Sequence, residues 1–195
     1  TGNKPMLLVL VVGETARAAN FGLDGYGRQT TPQLAKLDVI NFPQASSCGT
    51  ATATSVPCMF SPMARRDYKT SQHQESLLDV VQRAGMPVLW KDNNSGCKGT
   101  CNRVPTEDVS SQKDPRWCRD GECFDEVMLE GLDQQLAKHQ GDLLLVLQGR
   151  LAEVIEELDM QHHEDVADFF DPVLGFVGGQ ETFLAGTHDL AVQRL

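Results

Sequence analysis

Apolar residues gather in three runs, and polar residues crowd the end of each. Met6 to Val12 carries no polar side chain and is followed by Gly13-Glu14-Thr15. Met86 to Trp90 is the second run and closes in Lys91-Asp92-Asn93-Asn94-Ser95-Gly96. Asp142 to Leu147 supplies the third. Short continuous runs rich in Leu and Val predict strands buried on both faces of a parallel sheet. Helical spacing fills the gaps between them. Residues 75 to 84 place Leu77, Leu78, Val81 and Ala84 on one face, with Gly85 as the stop. Phe124 to His139 forms a second predicted helix with Val127, Met128, Leu132 and Leu136 inward. The alternation of strand and helix implies right-handed crossovers onto one sheet. Sites in such sheets collect beyond the carboxyl ends of the strands. Glu14 stands at such an end and is a metal-ligand or acid/base candidate; a helix-capping Glu is the plainer alternative.

The remaining pattern is less regular. Residues 16 to 28 read as loop, with Gly25-Tyr26-Gly27 as a turn, and Thr31-Pro32 opens a short helix through Leu37. Ile40 to Ala45 predicts a short strand. It leads into Ser46-Ser47-Cys48-Gly49-Thr50-Ala51-Thr52-Ala53-Thr54-Ser55-Val56-Pro57-Cys58, a run of hydroxyl side chains between two cysteines. A helix is predicted from about Thr52 to before Pro62, with Pro57 kinking it or moving its start. Hydroxyl oxygens become nucleophiles when a base or metal draws off the proton, and a helix start offers N–H groups to a developing anion. The residue types alone do not choose among Thr50, Thr52 and Thr54. Residues 102 to 117 carry no periodicity.

Composition narrows the class. At 195 residues, 41% hydrophobic and 23% charged, the chain can bury one core. Its longest apolar run is far short of the roughly 20 residues that span a bilayer. The net charge of −10 argues against nucleic acid as a partner. The chain opens without Met directly before a strand and reads as a piece of something longer. Charge is uneven. From Gln148 onward ten acidic residues face two basic ones, and there is neither Lys nor Cys. Within that tail, Leu151, Val154, Ile155 and Leu158 follow helical spacing, and His162-His163-Glu164-Asp165 reads as a solvated helix end rather than a metal site.

All six cysteines lie between Cys48 and Cys123, as the close pairs Cys48/Cys58, Cys97/Cys101 and Cys118/Cys123. Local pairing fits disulfides formed in an oxidising compartment. A structural zinc site made by the last four is the rival reading.

Longer motifs carry a family resemblance. Val12-Gly13-Glu14-Thr15-Ala16-Arg17, Ser47 to Thr52 and Ser55 to Phe60 resemble the periplasmic catalytic domain of the phosphoethanolamine–lipid A transferases. That group includes the colistin-resistance enzymes and belongs to the alkaline phosphatase/sulfatase superfamily. Gly25-Tyr26, Thr31-Pro32-Gln33-Leu34, Leu89-Trp90-Lys91-Asp92-Asn93, Lys98-Gly99 and Gly131-Leu132-Asp133 add to the match, which runs over about residues 4 to 147. The resemblance implies an α/β fold, the N-terminal part of a parallel-sheet sandwich with disulfide-stapled loops. It implies a Zn2+-dependent transfer of phosphoethanolamine from a phospholipid donor to a lipid A phosphate, and hence polymyxin resistance. It places the enzyme in the bacterial inner membrane through an N-terminal anchor, with the catalytic domain facing the periplasm. By the same resemblance Glu14 is a zinc ligand, Thr52 the nucleophile and a second ligand, and Lys98 and Asn93 lie at the substrate. The three cysteine pairs match disulfides.

The match stops at the change in composition. The family's next strand runs into a His and a Gly-Ser-His-Gly-Pro-like motif, whereas Leu145-Val146-Leu147 is followed here by Gln148-Gly149-Arg150. The later Asp-His pair that completes the zinc site has no counterpart; Thr187-His188-Asp189 has the residue types in the wrong order. Residues 148–195 are therefore expected to be foreign to the family, through a frameshift, fusion or misread gene. This predicts an impaired transferase and a sheet with an exposed edge. A disulfide-stapled binding module for phosphate or lipid headgroups, without catalysis, is the alternative.

Overall fold

The computed structural model describes residues 4–13, 17–32, 34–36, 39–71 and 74–149 in full, and the backbone of two strands at 171–177 and 182–186. Glu14, Leu151 to Leu158, His162, His163 and His188 lie outside the described residues. A seven-stranded sheet organises the fold. Its central strands are β1 (Met6–Gly13), β7 (Leu143–Gly149) and β3 (Val88–Asp92), all parallel. β7 lies between the other two, pairing Leu7 with Leu143 through Gly13 with Gly149 on one side, and Asp92 with Gln148 on the other. Every residue of β7 is buried, the apolar run Leu143 to Leu147 and Gln148 alike.

Short strands finish the sheet. β4 (Thr106–Asp108) extends it beyond β3, inside the stretch without periodicity. On the far side of β1 come β8 (Asp171–Val177), parallel to it, then β9 (Thr182–Gly186) and β2 (Val39–Asn41), both antiparallel pairings. β1 is thus paired along its length from Met6 to Val12, and among the described residues the sheet ends at β2 and β4. A separate two-stranded hairpin joins β5 (Cys118–Arg119) to β6 (Glu122–Cys123).

Two apolar clusters cover the two faces. On one, α1 (Thr52–Met59) sends Val56 and, just past its end, Phe60 against Val12, Trp90 and Val146, with Leu78 of α2 (Leu77–Arg83) beside them. On the other, Val127 and Met128 of a 3-10 turn and Leu132 and Leu136 of α3 (Leu132–Ala137) cover Leu7, Val9, Val11, Leu145 and Leu147. Alternate residues of one strand therefore serve opposite layers.

Several predicted elements shift. The helix expected over 124–139 breaks in two because Gly131 takes a left-handed conformation (φ +66°) between the turn and α3. α2 begins only at Leu77, where Ser76 and Asp79 form a reciprocal capping box, and Leu77 turns out to be exposed. The helix predicted from Thr31 shrinks to a 3-10 turn at Leu34–Lys36, and the strand predicted to Ala45 stops at Asn41. Pro57 stays inside α1 without ending it.

Candidate active site

The hydroxyl run folds onto the start of α1. Thr52 is the first residue of the helix, half-buried, and Ala51 before it offers no capping oxygen. The first N–H groups of α1 are thus left without a side-chain acceptor. The Ala51 carbonyl instead receives Thr54 N and Ser55 N at 2.9 Å each. Ser47 shapes the approach: its hydroxyl donates to the Gly49 carbonyl (2.7 Å) and accepts from Gly49 N (3.2 Å). A Cβ on Gly49 would lie 3.2 Å from Thr54 Cγ2, so a larger residue would press the loop off the helix. The Cys48–Cys58 disulfide ties this loop to the body of α1.

The Lys98 loop is anchored on the same face of the sheet. Cys97 and Cys101 are disulfide-bonded and buried in the cluster that contains Val56 and Phe60. Lys98 takes a left-handed backbone conformation (φ +52°), and its ammonium donates to the Ser95 carbonyl. Asp92 builds the turn that precedes it. Its carboxylate accepts from Asn94 N (2.8 Å), Gly96 N (3.2 Å) and Trp90 Nε1 (3.3 Å). An Asp at a strand end followed by Asn-Asn-Ser-Gly is a signal for such a turn. Below, Ser76 Oγ donates to the Thr100 carbonyl (3.0 Å), and Arg103 forks onto Asp79. Arg103 hydrogen-bonded to it is the main reason the Asp79 carboxyl sits below its ordinary value; burial works against this, and hydrogen bonds from Ser76 add to it.

Asn93 points the other way. Both hydrogens of its amide are committed, to the Cys123 carbonyl (2.9 Å) and to Asp125 Oδ1 (2.7 Å), on the α3 side. Sequence reading did not single out Asp125, which is buried and lies against the backbone of Gly149. Nothing in local spacing marks such a residue, because its partners are 32 positions upstream and at the end of β7. The structure therefore brings Thr52 and Lys98 to the α1 face and sets Asn93 on the opposite one.

All three cysteine pairs are disulfides: Cys48–Cys58, Cys97–Cys101 and Cys118–Cys123. This corrects the alternative of a zinc module built from the last four cysteines. Among the described residues, no three His, Cys, Asp or Glu side chains group as a metal site. The described residues do not by themselves fit a zinc ion, which takes about four ligands. Among them, too, no helix is long and apolar enough to cross a membrane.

The family model described as Sulfatase matches residues 7–149. The chain belongs to the sulfatase family. Its sheet is of the alkaline phosphatase/sulfatase type. The sequence is 55% identical over 143 residues to phosphoethanolamine transferase EptA of Escherichia coli K12, covering 72% of this chain and 26% of that protein. It is 46% identical over 154 residues to phosphatidylethanolamine transferase Mcr-1 of Escherichia coli, covering 74% and 28%. The chain thus spans little more than a quarter of these relatives. The fold is similar to the integral membrane lipooligosaccharide phosphoethanolamine transferase A of Neisseria meningitidis. The TM-score is 0.86 at 33% identity, covering 96% of this chain and 48% of that one. Against the soluble domain of that protein the TM-score is 0.82 at 36% identity, covering 95% and 72%.

Proposed function

We propose that this chain is part of a phosphoethanolamine transferase of the bacterial inner membrane, with the described domain facing the periplasm. Its donor is a phospholipid, its acceptor a lipid A phosphate, and the consequence is polymyxin resistance. The observation that carries the reading is Thr52 as the uncapped first residue of α1, reached through a loop held by Ser47 and the Cys48–Cys58 disulfide. Sequence identity to the named transferases supports the substrate class.

In this reading the Thr52 oxygen attacks phosphorus of the donor headgroup. The P–O bond to diacylglycerol breaks, and the threonine proton passes to the departing alkoxide. A lipid A phosphate oxygen then attacks the same phosphorus, the bond to Thr52 breaks, and the proton given up by the acceptor phosphate restores the hydroxyl. The N–H groups at the helix start face charge building on the phosphoryl oxygens. Lys98 is the cation of this chain for the headgroup phosphate. Asn93, with its amide hydrogens committed on the opposite face, serves by holding the rim. Zinc is the metal this reading implies, and Glu14 and Thr52 are the residues that would hold it.

Intact-mass measurement after incubation with phosphatidylethanolamine tests the proposal. Because the transferase is impaired in this reading, a phosphoethanolamine adduct is expected on at most a small fraction of the parent and on none of Thr52→Ala; an adduct that persists in the variant overturns the assignment. Zinc binding well below one ion per chain is expected at micromolar metal. The segment from Gln148 remains foreign to the family in sequence under this proposal, and reading the encoding DNA in all frames tests that.

A further inference from the structure

We propose that Ser76, the cap of α2, is a positioning residue that fixes the Lys98 loop relative to the helix carrying Thr52. The inference deepens the proposed function and rests on its assignment of Lys98 to the headgroup phosphate. Among the described residues, Lys98 and Asp120 are the only non-glycine residues with positive φ, at +52° and +55°. Gly99 follows Lys98 at +92°. A side chain disfavours that conformation, which persists only where the surroundings impose it. Before Lys98, Asp92 holds the backbone through Asn94 N and Gly96 N. Around it, the Cys97–Cys101 disulfide and the bond from Thr100 N to the Cys97 carbonyl (3.0 Å) close the turn. After it, the Thr100 carbonyl accepts from Ser76 Oγ at 3.0 Å, across 24 positions of sequence.

Asp79 aims that hydroxyl. Ser76 Oγ stands 3.0 Å from both Asp79 Oδ2 and the Thr100 carbonyl, and it has one hydrogen to give. Oδ2 already accepts from Ser76 N at 2.6 Å and from Arg103 Nη2 at 2.5 Å. The hydroxyl hydrogen is therefore left to Thr100. Ser76, Asp79 and Thr100 are all buried, so water does not readily replace the bond if it is lost. The next residue reaches the other way: Leu77 N donates to the carbonyl of Phe60, just past α1, at 2.7 Å. Consecutive residues at the start of α2 thus join the Thr52 helix to the Lys98 loop. The Leu77 bond is made by backbone and survives a change of side chain, whereas the Ser76 bond does not.

The test is calorimetric titration of the full chain with O-phosphoethanolamine, well below the melting temperature so that only folded protein is measured. Ser76→Ala should weaken binding by roughly fivefold, the scale of one hydrogen bond. Ser76→Gly, which a helix cap tolerates at little cost, should show the same loss and serves if Ser76→Ala does not fold. Ser76→Thr keeps the hydroxyl and should bind like the parent. A residue that acts through Lys98 loses its effect once Lys98 is gone, so Ser76→Ala with Lys98→Gln should bind no more weakly than Lys98→Gln alone. A general loss of stability would lower the melting temperature of Ser76→Ala without producing that coupling. Parent-like binding by Ser76→Ala or Ser76→Gly, or losses that add in the double variant, overturns the positioning role and leaves Lys98 at the headgroup. No binding by the parent, or parent-like binding by Lys98→Gln, overturns the assignment of Lys98 and this inference with it.

Discussion

Asp125 lies against Gly149: a Cβ built on that glycine would stand 2.4 Å from Asp125 Oδ1 and 2.5 Å from its Cγ. The absence of a side chain at the last residue of β7 is what lets the carboxylate reach Asn93 at 2.7 Å. Through Asn93 the same contact extends to the Cys118–Cys123 hairpin. One glycine thus permits the joint among β3, β7 and the hairpin. Gly149→Ala should cost about 1–3 kcal/mol through overpacking. Urea unfolding measures it, and pairing the change with Asp125→Ser should recover part of the loss.

Gln148 is fully buried, and neither its Oε1 nor its Nε2 finds a partner among the described residues. It sits on the α1 face, between Val12 and Asp92 in register. A buried amide without hydrogen bonds costs about 1–3 kcal/mol, whereas an apolar group of the same shape costs nothing comparable. Gln148→Met should therefore raise the urea midpoint, with the slope of the transition unchanged. A lower midpoint would mean that the amide has a partner in solution.

Acid should act through Asp79. Its folded value is depressed, first by Arg103, so ionised Asp79 stabilises the fold above the ordinary value of 3.8. That contribution is lost as pH falls through the lower folded value. Asp79→Asn should flatten this acid limb in melts taken below pH 4 and should lower stability at neutral pH. An acid limb as steep as that of the parent would assign it to other carboxylates.

Reduction should be visible in mass and stability together. Three disulfides make the oxidised chain lighter by six hydrogens than the reduced one. The loops they close are short, so each contributes about 2–3 kcal/mol on the loop-entropy estimate. Melting with and without reductant should show a large drop. A chain whose mass does not change on reduction would contradict all three bonds.

Much of this was legible in sequence because it is local. The runs at Met6, Met86 and Leu143 could only be buried strands, and the small hydroxyl-rich stretch before Val56 could begin a helix at Thr52. The cysteine spacing suggested its own pairing. Family motifs singled out Thr52 and Lys98, which residue types alone did not. What local pattern left open was which face each residue serves. Asn93 and Asp92 are neighbours at one strand end, yet period-two alternation sends them to opposite layers. Asp125 gained its place only when the chain returned Gly149 beside it, and β1 gained its second neighbour only from residues more than 160 positions away. Sequence determined the central strands and the nucleophile candidate, since these depend on neighbouring residues. Tertiary structure decided how the site's rim is held, because sheet order and close backbone approach are settled by contacts distant in sequence.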